Sequence, residues 1–264
     1  MTKRRGSPLA WGLLGLGMLY LLVPLVATFQ FSTQIQAARG IPISFLAYNN
    51  VLAAPALADS FTFSLRTALI TIAVSVLIVV PTAYWINLRM RFLRPVIEFL
   101  TLLPFVIPAV VLAFALIRSY NGTDLTNTRD GVYVLMVGAY VMLSFPYMYR
   151  SVDTGLQALN IRALTEAAQS LGAGWGTILF RVVVPNLLVS ILNGAFITFS
   201  IVIGEYTIAS LLSQPGFGPY MFSVASRRVY EPSALAMLSF GLTFFTILLI
   251  QRLSRGRNVG TAVR

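Results

Sequence analysis

Glu166-Ala167-Ala168, followed by Gly172 and closed by Val182 and Pro185, lies in the longest polar and charged loop of a chain that is otherwise mostly apolar. From Asn160 onward this loop reads as a helix. Asn160 supplies the cap, Ile161, Leu164, Ala168 and Leu171 share one face, and Gly172 closes the helix in a left-handed conformation. Ala167 and Ala168 keep the surface low, so another helix or the wall of a groove can approach closely. After the glycine turn, Trp175 to Val184 reads as a second amphipathic piece leading to Pro185. The product is a helix-turn-helix element with the shape of a docking site.

The rest of the chain says where this element sits. Apolar residues make up 57% of the 264 residues and charged residues 10%, against roughly 25% charged in a soluble domain. Such a surplus of apolar surface needs lipid as solvent. There is no cysteine and no histidine, which removes disulfides, thiolate nucleophiles and the commonest metal ligand. The net charge of +11 would suggest nucleic acid in a soluble protein, but here the basic residues lie between apolar runs, so no nucleic-acid partner is expected.

Six stretches are long enough to cross a bilayer, which takes about 20 apolar residues. They are Leu9 to Phe31, the run between Arg66 and Arg89, Pro95 to Ile117, the run between Asp130 and Arg150, Asn186 to Leu211, and the run between Glu231 and Arg252. Because the runs are continuous rather than alternating, they read as helices and not barrel strands. Of the 19 lysines and arginines, 13 fall on one side, with Lys3, Arg4, Arg5, Arg89, Arg91, Arg94, Arg257 and Arg264 among them. The other six are Arg39, Arg66, Arg118, Arg129, Arg227 and Arg228. By the positive-inside rule both termini are cytoplasmic. The loop from about 150 to 185 falls on that side with no input from its motif.

The basic start does not read as a signal peptide, because the uncharged run from Gly6 to Ala38 is far too long for one. On the external side, Ser32 to Ser60 has room for a short lateral helix. Pro215-Gly216-Phe217-Gly218-Pro219 should stop the fifth span. The expected organisation is a first helix and external segment over 1–60, a transmembrane domain over 61–252, and a basic cytoplasmic tail over 253–264. The fold class is an all-α polytopic membrane protein with six transmembrane helices and a cytoplasmic helix between the fourth and fifth.

The loop resembles that of the permease subunits of type I, binding-protein-dependent ABC importers. Glu166, Ala167, Ala168, Gly172 and Pro185 match that family's loop motif at its spacing. Val182 and Val184 stand where the family often has Ile and Leu. The resemblance implies a coupling helix seated in a cleft of a cytoplasmic ATPase, with Glu166 making polar contacts there and Gly172 supplying the bend. It further implies a pair of P-loop ATPases, a second and related permease subunit, an extracytoplasmic solute-binding protein, and a multi-pass place in a bacterial inner membrane. The chain contains no Gly-x-x-x-x-Gly-Lys-Ser/Thr stretch, so ATP and Mg would be used by the partner. No cofactor, metal or catalytic residue is expected on this chain.

Within the spans, Glu205 in Gly204-Glu205-Tyr206 is the acid set most deeply in an apolar run. An intramembrane carboxylate is costly and is either functional or bonded to a neighbour; both readings stand. Similar Gly-Glu-aromatic segments occur in polyamine, iron, phosphonate and oxyanion permeases. Pro104 and Pro108 must kink or open the third span and free carbonyls for a pathway. Pro81 and Pro146 should do the same in the second and fourth spans. Glu98 and Arg66 sit near helix ends, where snorkelling accounts for them. The candidate pathway is thus Glu205, Tyr206, Pro104 and Pro108.

Leu103-Pro104-Phe105-Val106-Ile107-Pro108 resembles the third-helix segment of polyamine permeases. The resemblance therefore points to spermidine or putrescine as cargo, with ferric iron, aminoalkylphosphonate and thiamine as alternatives. An intramembrane enzyme would need paired acids or a Ser/Lys dyad, and neither pattern occurs. An ATP-independent carrier or channel would show inverted symmetry or midplane charges and would leave the 150–185 loop without a purpose.

Overall fold

The computed structural model describes residues 8–41 and 43–255. Lys3, Arg4, Arg5, Arg257 and Arg264, and with them most of the expected basic tail, lie outside the described residues. Within these residues the chain is nearly all helix and has no strand. The first half runs α1 (Pro8–Ser32), α2 (Leu46–Leu52), α3 (Pro55–Leu88), α4 (Arg94–Leu100), α5 (Leu103–Val106) and α6 (Ala109–Ser119). The second half runs α7 (Asp124–Asn127), α8 (Arg129–Ala158), α9 (Ile161–Ser170), α10 (Trp175–Thr177), a π-helical turn (Ile178–Val183), α11 (Val184–Asn186), α12 (Leu188–Gly204), α13 (Thr207–Leu211), α14 (Phe217–Ala225) and α15 (Glu231–Arg255).

Three of these helices, in α1, α3 and α8, are long and apolar enough to cross a membrane, or five spans in all if each of two bent helix pairs counts as one. From Trp11 to Val23, α1 exposes every side chain of the isolated chain, as expected of a helix that is apolar all round and faces lipid. The last expected span is a single helix, α15.

The chain divides into two compact units: the residues up to Leu57 with Met221–Gln251, and Ala58–Tyr220 with the residues from Arg252 on. In the first unit the Phe31 and Tyr230 rings meet at 5.0 Å. Ser32 Oγ lies 2.7 Å from the Tyr48 hydroxyl, and Asn50 donates to the buried Glu231 carboxylate at 3.2 Å. Here α2 supplies the short helix expected between the first two spans.

The second unit holds two apolar cores. One joins Val80, Ala83 and Tyr84 of α3 to Met148, Val152 and Leu156 of α8, Ile161 and Ala168 of α9, and Leu187 and Ile191 near the start of α12. The other joins Ala68 of α3, Leu112 of α6, Met136 and Tyr140 of α8, Val202 of α12, and Ile208 of α13. Glycine lets α8 and α12 approach closely: a Cβ on Gly194 would stand 2.7 Å from Met148 Sδ and 3.2 Å from Met148 Cα. Close small-residue packing is the usual way membrane helices associate.

Two expected spans are not continuous helices. The third is cut at Ile107-Pro108, and the segments on either side, 91–106 and 109–119, are bent by 98°. Ile107 is extended (φ −89°, ψ 112°) because the ring of Pro108 disfavours helix in the residue before it. Pro104 lies in the first turn of α5, just after the helix is interrupted at Thr101-Leu102; having no amide to bond the carbonyl of Leu100, it accompanies a second opening of this span. The fifth span bends by 75° between the segments 175–186 and 188–204, and it stops at Gly204, well before the proline-rich run. That run itself starts α14. Pro81 and Pro146 lie inside α3 and α8, which continue through them without a break; each still leaves the carbonyl four residues before it, at Leu77 and Met142, without its helical amide.

Gly194→Leu would overpack the α8–α12 crossing, at a cost of about 1–3 kcal/mol. Thermal unfolding in detergent should show a lowered midpoint, while Gly138→Leu, where a side chain meets nothing within 4 Å, should leave it unchanged. Equal midpoints for the two would show that the crossing tolerates a side chain.

Candidate functional site

The loop element forms as local chemistry dictates. Asn160 Oδ1 accepts from the Ala163 amide at 3.3 Å and caps α9. At the other end Gly172 adopts φ +77°. The Ala173 amide then donates to Ala168 O at 3.0 Å and the Gly172 amide to Gln169 O at 2.9 Å. This pair of bonds is the Schellman closure that a left-handed glycine permits. Ile161, Thr165 and Ala168 form the buried face of α9, and Ala168 shares a core with Val182.

Leu171 does not join that face. It is 89% exposed, because α9 ends at Ser170 and the closing turn carries the next side chain out of helical register. Glu166 also points outward, ion-paired to the exposed Arg162 at 3.0 Å. Ala167 and Pro185 are exposed, and Pro185 lies in α11 just before the 75° bend. The motif therefore splits in two. Ala168, Val182 and the Gly172 turn build the element; Glu166, Ala167 and Pro185 face outward.

Adjacent residues of α3 hold both halves of the element. The Tyr84 hydroxyl lies 3.0 Å from Thr165 Oγ1, fully inside the protein, and Thr165 in turn donates to Ile161 O at 2.7 Å. Trp85 packs on Trp175 with ring centres 4.9 Å apart. The Arg89 guanidinium lies 6.0 Å and 5.5 Å from those two rings, within cation–π range.

A polar cluster beside the element has no counterpart in the sequence reading. Asp153 on α8 is buried and accepts from Asn87 Nδ2 at 2.8 Å, from Arg94 at 3.1 Å and from Gln157. Arg94 also reaches Glu98 at 2.9 Å, so Glu98 is ion-paired rather than snorkelling alone. The cluster ties the ends of α3 and α8 to α4. A helical-period scan shows the signal: Asp153 shares a face with the buried Tyr149, Val152 and Leu156, and an acid there needs partners.

The pathway candidates meet at two helix breaks. Glu205 follows the end of α12 in extended conformation (φ −74°, ψ 128°), so it is not inside a helix as its apolar surroundings suggested. Its carboxylate accepts from the Ile208 amide at 2.8 Å and 3.0 Å, the Ala209 amide at 3.1 Å and the Tyr140 hydroxyl at 2.9 Å. It thereby caps α13. Gly218 is pressed against the Glu205 carbonyl, and the Phe217 amide donates to Ser64 Oγ at 2.8 Å. Ile107 and Ala109, flanking Pro108, pack on the core that contains Ile208 and Ala209, so the two breaks lie against one another. Tyr206 is 38% exposed and Pro104 is half-buried; neither joins this contact.

Apolar helices around two cores, with a two-helix element folded back on one of them, define a polytopic helical membrane protein. The chain belongs to the family of binding-protein-dependent transport system inner membrane components, whose pattern it matches over residues 79–257. It is 29% identical over 239 residues to the probable sulfate transport system permease protein cysT of Nephroselmis olivacea, covering 87% of this chain and 80% of the relative. It is 26% identical over 260 residues to the molybdenum transport system permease protein ModB of Mycobacterium bovis, covering 93% and 97%. In fold it is similar to a bacterial alginate ABC transporter solved in complex with an alginate pentasaccharide-bound periplasmic protein. That likeness has a TM-score of 0.70 at 14% identity and covers 97% and 96% of the two chains. The protein is a permease subunit of an ABC importer.

Thr165→Val leaves the buried Tyr84 hydroxyl without its partner and should cost about 1–3 kcal/mol, whereas Tyr84→Phe should cost about 1 kcal/mol. Equilibrium unfolding of both variants and the double variant measures the coupling; a double variant that costs the sum of the two singles would show that the bond contributes nothing. Glu205→Ala should lower the thermal midpoint by roughly 5 °C, since it removes a charged acceptor from three donors. An unmoved midpoint would rule out the capping role.

Proposed function

We propose that this permease subunit crosses the membrane six times with both termini in the cytoplasm, and that the Asn160–Asn186 element is the seat of a separate ATPase. The observation that carries this reading is the division of the element into two faces. Ile161, Thr165 and Ala168 are buried, while Glu166, Ala167 and Leu171 stand exposed on a turn closed by Gly172. An exposed leucine beside a charged pair suits insertion into an apolar pocket with a polar rim. The 13-to-6 excess of basic residues on the loop's side supports a cytoplasmic placement. One copy offers one such element, so a pair of ATPases calls for a second permease subunit, which we propose is a related chain. An extracytoplasmic binding protein delivers the cargo, and ATP and Mg act on the ATPases alone.

For the cargo we propose a tetrahedral oxyanion of the sulfate or molybdate class. The support is the similarity to the sulfate and molybdenum permeases above. The spermidine or putrescine assignment suggested by Leu103 to Pro108 and by Glu205 has no support among these relatives. Membership of the family also argues against an ATP-independent carrier or channel.

Proteoliposomes holding the assembled transporter, with its binding protein outside and ATP inside, should accumulate labelled sulfate or molybdate. Leu171→Asp and Gly172→Val should reduce that uptake by about tenfold or more with the subunit still present in the membrane. Wild-type uptake by both variants, or uptake that needs no ATP, would sink the docking assignment.

A further inference from the structure

A cavity of about 960 Å³ lies in the second unit between the N-terminal part of α3, the start of α8 and the Ser213–Pro215 turn. It has no part in the loop element or the helix breaks described above. Arg66 and Arg129 both line it, with Thr62, Tyr133, Ser213 and Gln214 as further polar groups. Among the described residues, neither arginine takes part in an ion pair.

Arg66 does not sit at a helix end, contrary to the sequence expectation. It lies in the twelfth position of α3, a helix of 34 residues. Counted from Leu88 at about 1.5 Å per residue, Arg66 is about 33 Å away, close to the outer limit of a hydrocarbon core about 30 Å thick. A cation at that depth on the lipid face would snorkel away. Arg66 instead lines a cavity of mixed polar and apolar character, and ionisable groups of a spanning helix that face a cavity mark ion and substrate routes.

Two carboxylates, Asp59 and Asp130, share the cavity wall, and no ion pair joins them to the arginines. Asp130 stands in the first turn of α8, where the positive end of the helix offsets its charge. No such feature compensates Arg66 or Arg129. Asp59 is not in the first turn of α3 and stays as uncompensated as the arginines, so the wall presents two guanidinium groups against one free carboxylate, next to hydroxyl and amide donors. The excess of donors suits a planar or tetrahedral oxyanion.

We propose that this cavity receives the oxyanion at the external mouth of the pathway, with Arg66 and Arg129 as its charge contacts and Thr62, Ser213 and Gln214 as neutral donors. The proposal rests on the oxyanion reading of the cargo. It adds a specificity role for the permease itself, since a cation would meet two guanidinium groups against the one uncompensated carboxylate of Asp59.

The test is ATP-driven uptake of labelled sulfate and of molybdate by the complete transporter with its binding protein in proteoliposomes. Arg66→Gln and Arg129→Gln should each lower uptake by about tenfold, Arg66→Lys should retain a large part, and Arg118→Gln, outside the cavity, should match the wild type. Wild-type uptake by Arg66→Gln overturns the cavity site and leaves the oxyanion reading standing. Equal loss in Arg66→Gln and Arg66→Lys, together with a lowered thermal midpoint, assigns Arg66 to packing and overturns it as well. A wild-type transporter that takes up neither anion overturns the oxyanion reading and this site with it.

Discussion

In a hydrocarbon solvent every backbone amide needs a partner inside the protein, and the breaks in this chain are arranged to meet that demand. Pro108 has no amide to satisfy, and its carbonyl accepts from Leu112 at 3.0 Å, so α6 starts with its first acceptor in use. At the other break the Glu205 carboxylate takes up the Ile208 and Ala209 amides that a continuous helix would have bonded internally. Because α6 and α13 pack on a common core, the two breaks are stable only together. The backbone groups freed at the two breaks thus find partners within the protein, although Pro108, Gly204 and Tyr206 are themselves exposed in the isolated chain.

The same economy of contact governs the loop element. Although α9 is joined covalently to α8, its side-chain hydrogen bond to the body of the protein runs through Tyr84 of α3. Trp85, the next residue, holds the second half of the element through Trp175. One turn of α3 therefore grips both sides of the Gly172 turn, while the Asp153–Arg94 pair fixes the neighbouring ends of α8 and α4. A push on the exposed face of the element would be felt first by α3. Its far half carries Arg66 and the cavity wall, so element and cavity share one long helix.

What could be read from the sequence follows the range of the interactions. The Asn160 cap and the Gly172 closure are legible because each acts within a few residues of itself. Pro104 and Pro108 were legible for the same reason, each marking an interruption of the third span just before it. Leu171 was misplaced because a helical period was continued one residue past the helix end. Glu205 carries no local sign of a break: Gly204-Glu205-Tyr206 reads as helix, and only Tyr140, 65 residues away, and the pressure of Gly218 reveal the turn. For the Asp153 cluster the sequence offers only an acid on an apolar helix face; its partners Asn87 and Arg94 lie 66 and 59 residues away and cannot be read locally.

The placement of Glu205 also changes how the chain's charges bear on its cargo. A lone intramembrane carboxylate favours a cation so long as it is free to meet one. Here three donors, two of them helix amides that would otherwise be orphaned, already occupy it. Drawing it toward a polyamine would unmake the α13 cap and disturb the core shared with α6. Asp153 and Glu231 are likewise held by neighbours in the protein. Among the described charged groups within long helices, Arg66 and Arg129 line an open cavity without an ion pair, as does Asp59. Free charge, rather than total charge, is what a passing solute meets, and at this cavity it is two guanidinium groups against one carboxylate that no helix end offsets.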